Sequence, residues 1–305
     1  MDGEINMQMK KIYEFGMAYS MSHNEDFFCS LGESVEIYSR QSGKLEHRFS
    51  DLNYPNHSKF LTQNQLIVKS CSGYYQLYDL NTWEKTKRIS IPNCKEAQDD
   101  PFLITPDEKF LIGSIFSFPP KKLAAYDFSA QKWIDLNFID IRISGRGILF
   151  YDSFLKKIIF VYSDESKIKE MVALIPYPFT GEYQFCTFYC SHGILSCDYC
   201  QQKLAINDFF SLTIIDVLTG DTIYSIPKPS LTSGAVSWSP TGRFLAFIES
   251  SHTIELYRTS NWNCISKFEE PGVQSIQFVD DDYHILVSKQ RKSYYAEIIG
   301  NDGIF

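Results

Sequence analysis

Short runs of alternating apolar and polar residues stand between turn-forming clusters along most of the chain, and the arrangement returns at nearly constant spacing. The clearest unit is Gly234-Ala-Val-Ser-Trp-Ser-Pro-Thr-Gly-Arg-Phe-Leu-Ala-Phe-Ile248, followed by Thr253-Ile-Glu-Leu-Tyr-Arg-Thr-Ser-Asn-Trp262 and Cys264-Ile-Ser-Lys-Phe268. It reads strand, tight turn, strand, loop, strand, turn, strand. Pro240 presets φ at the first central turn position and Gly242 suits the last, while Val236/Trp238 and Thr253/Glu255/Tyr257 mark a period of two. The unit is predicted to be a four-stranded antiparallel meander.

Parts of the unit recur elsewhere. Phe102-Leu-Ile-Thr-Pro-Asp-Glu-Lys-Phe-Leu-Ile112 repeats its first hairpin, with Leu123–Phe128 and Lys132–Leu136 as third and fourth strands. Its third strand and turn reappear at Val35–Lys44, Gln76–Lys85 and Thr213–Asp221. With Gly43, Trp83, Gln131, Gly181, Gly220 and Asn261 as turn markers, the successive gaps are 40, 48, 50, 39 and 41 residues. A period of roughly 40 to 50 with four strands per unit is the sequence signature of propeller blades. Seven blades are expected near 16–49, 57–91, 101–138, 147–188, 193–227, 234–268 and 273–299. The last is one strand short, and 8–15 has strand composition. That segment is therefore expected to supply the missing outer strand and close a ring, removing edges that an open array would expose. Residues 163–175 also fit an amphipathic helix, with Ile168, Met171, Val172 and Ile175 on one face; the in-phase repeat on both sides favours a long loop into a strand at 170–176.

Composition agrees with a packed all-β chain. The 305 residues are 44% hydrophobic and 15% aromatic, enough to bury a full core. Lys and Arg number 29 against 37 Asp and Glu, a formal charge of -8, which argues against a nucleic-acid partner, because such binding rests on clustered basic charge. Acidic Asp2 and Glu4 stand where a signal peptide needs positive charge, and no apolar run approaches the roughly 20 residues of a membrane span. A cytoplasmic chain with no membrane partner is expected, and its 8 Cys are expected to stay reduced.

These features resemble the WD-repeat type of seven-bladed β-propeller over nearly the full length. The resemblance rests on the Trp238-Ser-Pro-Thr-Gly and Thr105-Pro-Asp-Glu turns and on the third-strand endings Tyr78-Asp-Leu-Asn-Thr-Trp, Tyr126-Asp-Phe and Ile215-Asp-Val-Leu-Thr-Gly. It implies an all-β fold of seven four-stranded blades in one domain. The family's Gly-His pair is missing from every blade and its Trp-Asp pair stands as Tyr-Asp or Ile-Asp. The buried Asp-His-Ser-Trp network of typical members is therefore not expected, and the chain reads as a divergent relative.

Candidate chemistry is sparse. Cys186, Cys190, His192, Cys197 and Cys200 fall within 15 residues, and thiolates and imidazole at such spacing can form a tetrahedral zinc site. The competing reading, small residues buried on strands, fits their places in the repeat better, so neither a metal nor a cofactor is expected. His23, His47, His57, His252 and His284 show no metal spacing, and no nucleophile elbow or phosphate loop is present. The acidic groups Asp99-Asp100, Glu269-Glu270 and Asp280-Asp281-Asp282 read as solvated turns.

Loops on a rigid scaffold are where function is expected. Connections from an outer strand to the next inner strand, with those joining second and third strands, converge on one face of a propeller. That face is expected to carry Tyr54, His57, Asp99, Phe116, Phe118, Arg142, Arg146, Lys228 and Glu269, with Phe116, Phe118 and Tyr54 as interface anchors. The expectation is a non-catalytic scaffold that binds another protein or peptide, as a monomer or as a subunit of a hetero-complex. The alternatives are a propeller enzyme resembling lactonases, with a metal-dependent site at the channel mouth, and a regulatory subunit of a separately encoded enzyme.

Overall fold

The computed structural model describes residues 7–300 except 63, 93, 95–99, 116–121, 137–142, 165–168, 181, 189–195, 209, 228–233 and 251, with backbone alone at 114, 115, 144–146, 164, 169 and 250. Its strands form seven four-stranded antiparallel sheets, a seven-bladed β-propeller with no helix among the described residues. The chain groups into two compact units, Met21–Tyr189 and Met1–Ser20 with Cys190–Phe305.

In the first unit, blade 1 holds β2 (Ser20–His23), which begins at the unit boundary, β3 (Phe27–Leu31), β4 (Val35–Ser39) and β5 (Leu45–Phe49). Blade 2 holds β6 (Pro55–Leu61), β7 (Gln65–Ser70), β8 (Tyr74–Asp79) and β9 (Glu84–Ser90). Blade 3 holds β10 (Phe102–Ile104), β11 (Phe110–Ile115), β12 (Lys122–Asp127) and β13 (Lys132–Asp135), and blade 4 β14 (Ile143–Asp152), β15 (Lys157–Asp164), β16 (Lys169–Pro176) and β17 (Gln184–Phe188). In the second unit, blade 5 holds β18 (Ser196–Cys200), β19 (Lys203–Asn207), β20 (Ser211–Asp216) and β21 (Thr222–Pro227). Blade 6 holds β22 (Val236–Trp238), β23 (Phe244–Ser250), β24 (Thr253–Arg258) and β25 (Asn263–Glu269). Blade 7 runs β26 (Val273–Phe278), β27 (His284–Lys289), β28 (Tyr294–Gly300) and, outermost, β1 (Met7–Glu14).

The N-terminal strand thus completes the last blade, as the missing fourth strand required. It pairs antiparallel with β28 from Met7↔Gly300 to Glu14↔Tyr294. Phe15 N and Ser293 N extend the ladder by donating to Ser293 O at 2.8 Å and Gly16 O at 3.1 Å, and Ser266 Oγ of blade 6 donates to Met7 O at 3.0 Å. Met7 is buried in the apolar layer between blades 6 and 7.

Within each unit, successive blades bury their faces against each other. Leu31, Val35 and Ile37 of blade 1 pack on Leu66, Val68 and Tyr78 of blade 2, and Ala205, Leu212 and Ile214 of blade 5 on Val236, Leu245 and Phe247 of blade 6. Middle strands are covered on both sides, so the alternation in the sequence does not separate core from solvent. Glu255 on β24, a polar member of that alternation, is buried. Its charge is met locally: Tyr257 Oη donates to Glu255 Oε2 at 2.9 Å, and Lys267, its cross-strand neighbour on β25, forms an ion pair with it. Blade 1 repeats the device, with Glu36 accepting from Tyr38 Oη at 2.5 Å and pairing with Arg48 at 2.7 Å.

The turns repeat as well. Asp79, Asp127 and Asp216 end third strands, and each Oδ1 accepts the backbone N–H groups two and three residues on: Asn81 and Thr82, Ser129 and Ala130, Leu218 and Thr219. The left-handed position that follows is occupied by Trp83, Gln131 and Gly220. In blade 6 the left-handed residue is Trp262 rather than Asn261, and in blade 4 it is Phe179, Gly181 lying outside the described residues. Residues 163–175 also change: β15 reaches Asp164, which pairs with Lys169, so Ser163 and Asp164 are strand where a loop was expected and the expected strand begins at Lys169, residues 165–168 lying outside the described residues. Blades 2 and 4 begin at Pro55 and Ile143, ahead of the expected 57 and 147.

Candidate functional site

The loop end of blade 2 gathers expected site residues. Tyr54 lies in the connection between β5 and β6, 77% exposed, with φ at +50°. The β7–β8 turn fixes this backbone from beneath: Cys71 N donates to Tyr54 O at 3.0 Å and Ser70 Oγ donates to Asn53 O at 2.5 Å. His57 follows on β6 opposite Lys69, beside a register shift between Pro55 and His57. Ile91 N donates to Gly73 O at 2.9 Å, tying the connection out of blade 2 to the same turn. Gly73 has φ +85°, and a Cβ there would meet Cys94 Sγ, so the turn accepts only glycine.

Beneath this surface lies a charged core that the sequence reading missed. Lys69 is fully buried and its Nζ donates to the backbone carbonyl of Asp100, itself 1% exposed. Tyr75 is also fully buried, edge-on to Phe102 at 5.2 Å, and its hydroxyl finds no hydrogen-bond partner among the described residues. Burial first, and then the charge of Asp100, pushes its ionisation far above the ordinary tyrosine range. The tyrosine stays neutral. The signal that could have found this site is Lys69 itself, a cation inside the apolar run Leu66-Ile67-Val68.

At the loop end of blade 7, in the other unit, Glu269 ends β25 exposed and accepts from Thr253 Oγ1 at 3.5 Å. The adjacent Glu270 is the buried member of the pair. Lys289 Nζ lies 2.8 Å from Glu270 Oε2, Lys11 Nζ lies 4.0 Å from Oε1, and both ammonium groups flank the Tyr294 ring at 6.0 and 4.4 Å. Burial and then Glu270 raise the Tyr294 ionisation. The expectation of solvated acidic turns is corrected at three points, since Asp100, Glu270 and Asp282 are all buried. Asp282 accepts from Thr241 Oγ1 at 2.5 Å and Thr241 N at 3.2 Å, and so links blade 7 to the first turn of blade 6.

Of the other expected residues, Arg146 lies on β14 at the register shift between Ser144 and Gly147. Asp99, Phe116, Phe118, Arg142 and Lys228 lie outside the described residues. Of the cysteine cluster, Cys190 and His192 do too; Cys186 is buried on β17, and Cys197 and Cys200 are on β18. Among the described residues, no group of three or more His, Cys, Asp or Glu could hold a metal ion, and no helix is long and apolar enough to cross a membrane. The chain matches none of the known protein families and none of the curated protein sequences with which it was compared.

Proposed function

We propose that the chain acts as one propeller domain of the WD-repeat type that performs no catalysis itself and holds a partner protein or peptide against the loop end of blade 2. The observation that supports this reading is Tyr54. Its ring is 77% exposed on a backbone held in the left-handed region. Such a conformation costs a non-glycine residue about 1 kcal/mol or more and persists only where its surroundings impose it. A rigidly displayed tyrosine is also a side chain that anchors protein interfaces, because it offers a large apolar face and a hydrogen-bonding tip at little entropic cost. The buried Lys69 and Asp100 hold the underlying loops in place.

The WD-repeat reading is supported by the aspartates that close the turns after the third strands of blades 2, 3 and 5. A protein partner accords with the excess of acidic over basic residues, which disfavours nucleic acid. The cytoplasm is the compartment we assign, because 8 Cys in 305 residues are too few for a disulfide framework and accord with a reducing compartment.

A photo-crosslinking phenylalanine analogue at position 54 tests the reading in native lysate. Position 154 is the comparison, because Phe154 is 83% exposed on the β14–β15 turn. A discrete protein adduct from position 54, competed away by excess unmodified protein and missing from position 154, is expected. No adduct at position 54, or the same adducts at both, rejects the proposal.

A further inference from the structure

Seven strands stand outermost in their sheets: β1, β5, β9, β13, β17, β21 and β25. An outermost strand presents unpaired backbone N–H and C=O groups, a template on which another chain can add a strand, and natural proteins block such edges with charges, proline or a bulge. Six of the seven strands here carry at least one block. β1 has Lys10, Lys11, Glu14 and a register shift after Lys11. Charge and a shift also protect β5 (Glu46, Arg48), β9 (Glu84, Lys85, Lys87, Arg88) and β25 (Lys267, Glu269). β13 has Lys132 and Asp135, and β21 ends on Pro227 and has a shift.

β17 has none of these. It reads Gln-Phe-Cys-Thr-Phe and pairs with β16 without a shift from Glu170↔Phe188 to Leu174↔Gln184. Phe185 is 50% exposed and Thr187 is exposed on the same face, while Cys186 and Phe188 on the other are buried. Lys157 Nζ meets Gln184 Oε1 at 2.6 Å, a cation from β15 that reaches only the first residue of the strand.

We propose that β17 pairs antiparallel with β17 of a second copy of this chain. The charge pattern selects this occupant. Each copy carries a formal charge of -8, so two copies repel and can join only where the touching segments add no like charges. β17 is the outer strand that brings no charged side chain of its own to such a contact and has neither a proline nor a bulge in the way. The strand is also self-complementary: antiparallel pairing about Cys186 sets Phe185 across from Thr187 of the second copy, and Thr187 across from its Phe185. Aromatic and β-branched residues are favourable cross-strand neighbours. An edge of 5 residues makes a small contact, so the dimer is weak, and salt tightens it by screening the repulsion. The proposal is independent of the partner site at blade 2 and departs from the expectation of a monomer.

Sedimentation velocity over a concentration series, at low and high salt, tests it on the full chain. The expected result is a concentration-dependent dimer that strengthens with salt. Thr187→Lys, which sets an ammonium on each facing strand, should weaken it about tenfold or more while leaving the thermal midpoint unchanged. Phe185→Lys is the second variant should the first fail to fold. A protein that stays monomeric at every concentration and salt overturns the proposal, as does a dimer that both lysine variants leave intact, which places the contact elsewhere.

Discussion

Trp262 lies flat against Tyr224, with ring centroids 5.0 Å apart and planes 9° from parallel. Tyr224 is on the outer strand of blade 5, and Trp262 is the left-handed residue in the last turn of blade 6, at φ +57°. Blades 1 and 2 repeat the relationship: Trp83, at φ +59°, stacks on His47 of β5 at 4.9 Å and 10°. A glycine would relieve both turns. Tryptophan is used because the left-handed backbone aims the indole back at the preceding blade, where the stacked area outweighs the local strain.

Trp262 can therefore be dissected by two substitutions. Trp262→Ala loses the stack and keeps the strain, for a cost of about 2 to 3 kcal/mol. Trp262→Gly loses the stack and sheds the strain, so it should be about 1 kcal/mol more stable than the alanine variant. Urea unfolding followed by fluorescence of the remaining tryptophans measures both. A glycine variant less stable than the alanine variant would show that strain is not stored in this turn.

Removing residues 1–14 takes away β1 and exposes the length of β28, together with the apolar layer that Met7 helps to cover. The expected outcome is a loss of several kcal/mol or failure to fold, because a full ladder and its packing go together. Thermal melting by circular dichroism decides. A truncated chain that melts at the full-length temperature would refute the role of β1.

Blades 3 and 4 are joined by Tyr177 Oη, which donates to Asp107 Oδ1 at 2.5 Å. Partial burial raises the Asp107 ionisation, but hydrogen bonds from Tyr177, Thr105 and Lys109 outweigh this and hold it well below its ordinary 3.8. A depressed carboxylate contributes stability above its unfolded value that is lost as pH falls through the folded one. Tyr177→Phe should thus cost about 1 kcal/mol at neutral pH, and the difference from wild type should shrink steadily below about pH 4. A difference that is constant from neutral to acid pH would contradict the assignment.

Cys29 is fully buried, and desolvation pushes its thiol up to about 12. The thiolate is the reactive form, so native Cys29 should resist alkylation by iodoacetamide at mildly alkaline pH, whereas the exposed Cys264 should react faster. Peptide mass spectrometry after a timed exposure reads both sites. Equal labelling would mean that blade 1 opens on the timescale of the reaction.

The number of blades, the four strands in each and the capture of the N-terminal strand by the last blade were all legible in the amino-acid sequence alone. They depend on local chemistry: Asp216 closes the turn that follows it, Gly242 and Gly220 accept left-handed backbone, and the missing strand of blade 7 had to come from somewhere along the chain. Tertiary structure decided what each polar residue faces. Asp100, Glu270 and Asp282 stand in acidic runs that read as solvated turns, yet all three are buried: Lys69 donates to the backbone carbonyl of Asp100, Lys289 pairs with the Glu270 carboxylate, and Thr241 donates to Asp282, each from a separate segment of the chain. Alternation along β24 could not tell core from solvent, because adjoining blades cover both faces of a middle strand. The same holds for Tyr54 and for the bare edge of β17. Whether a residue is displayed or covered depends on which sheets lie against it, and that is a property of the packed molecule rather than of any segment of its chain.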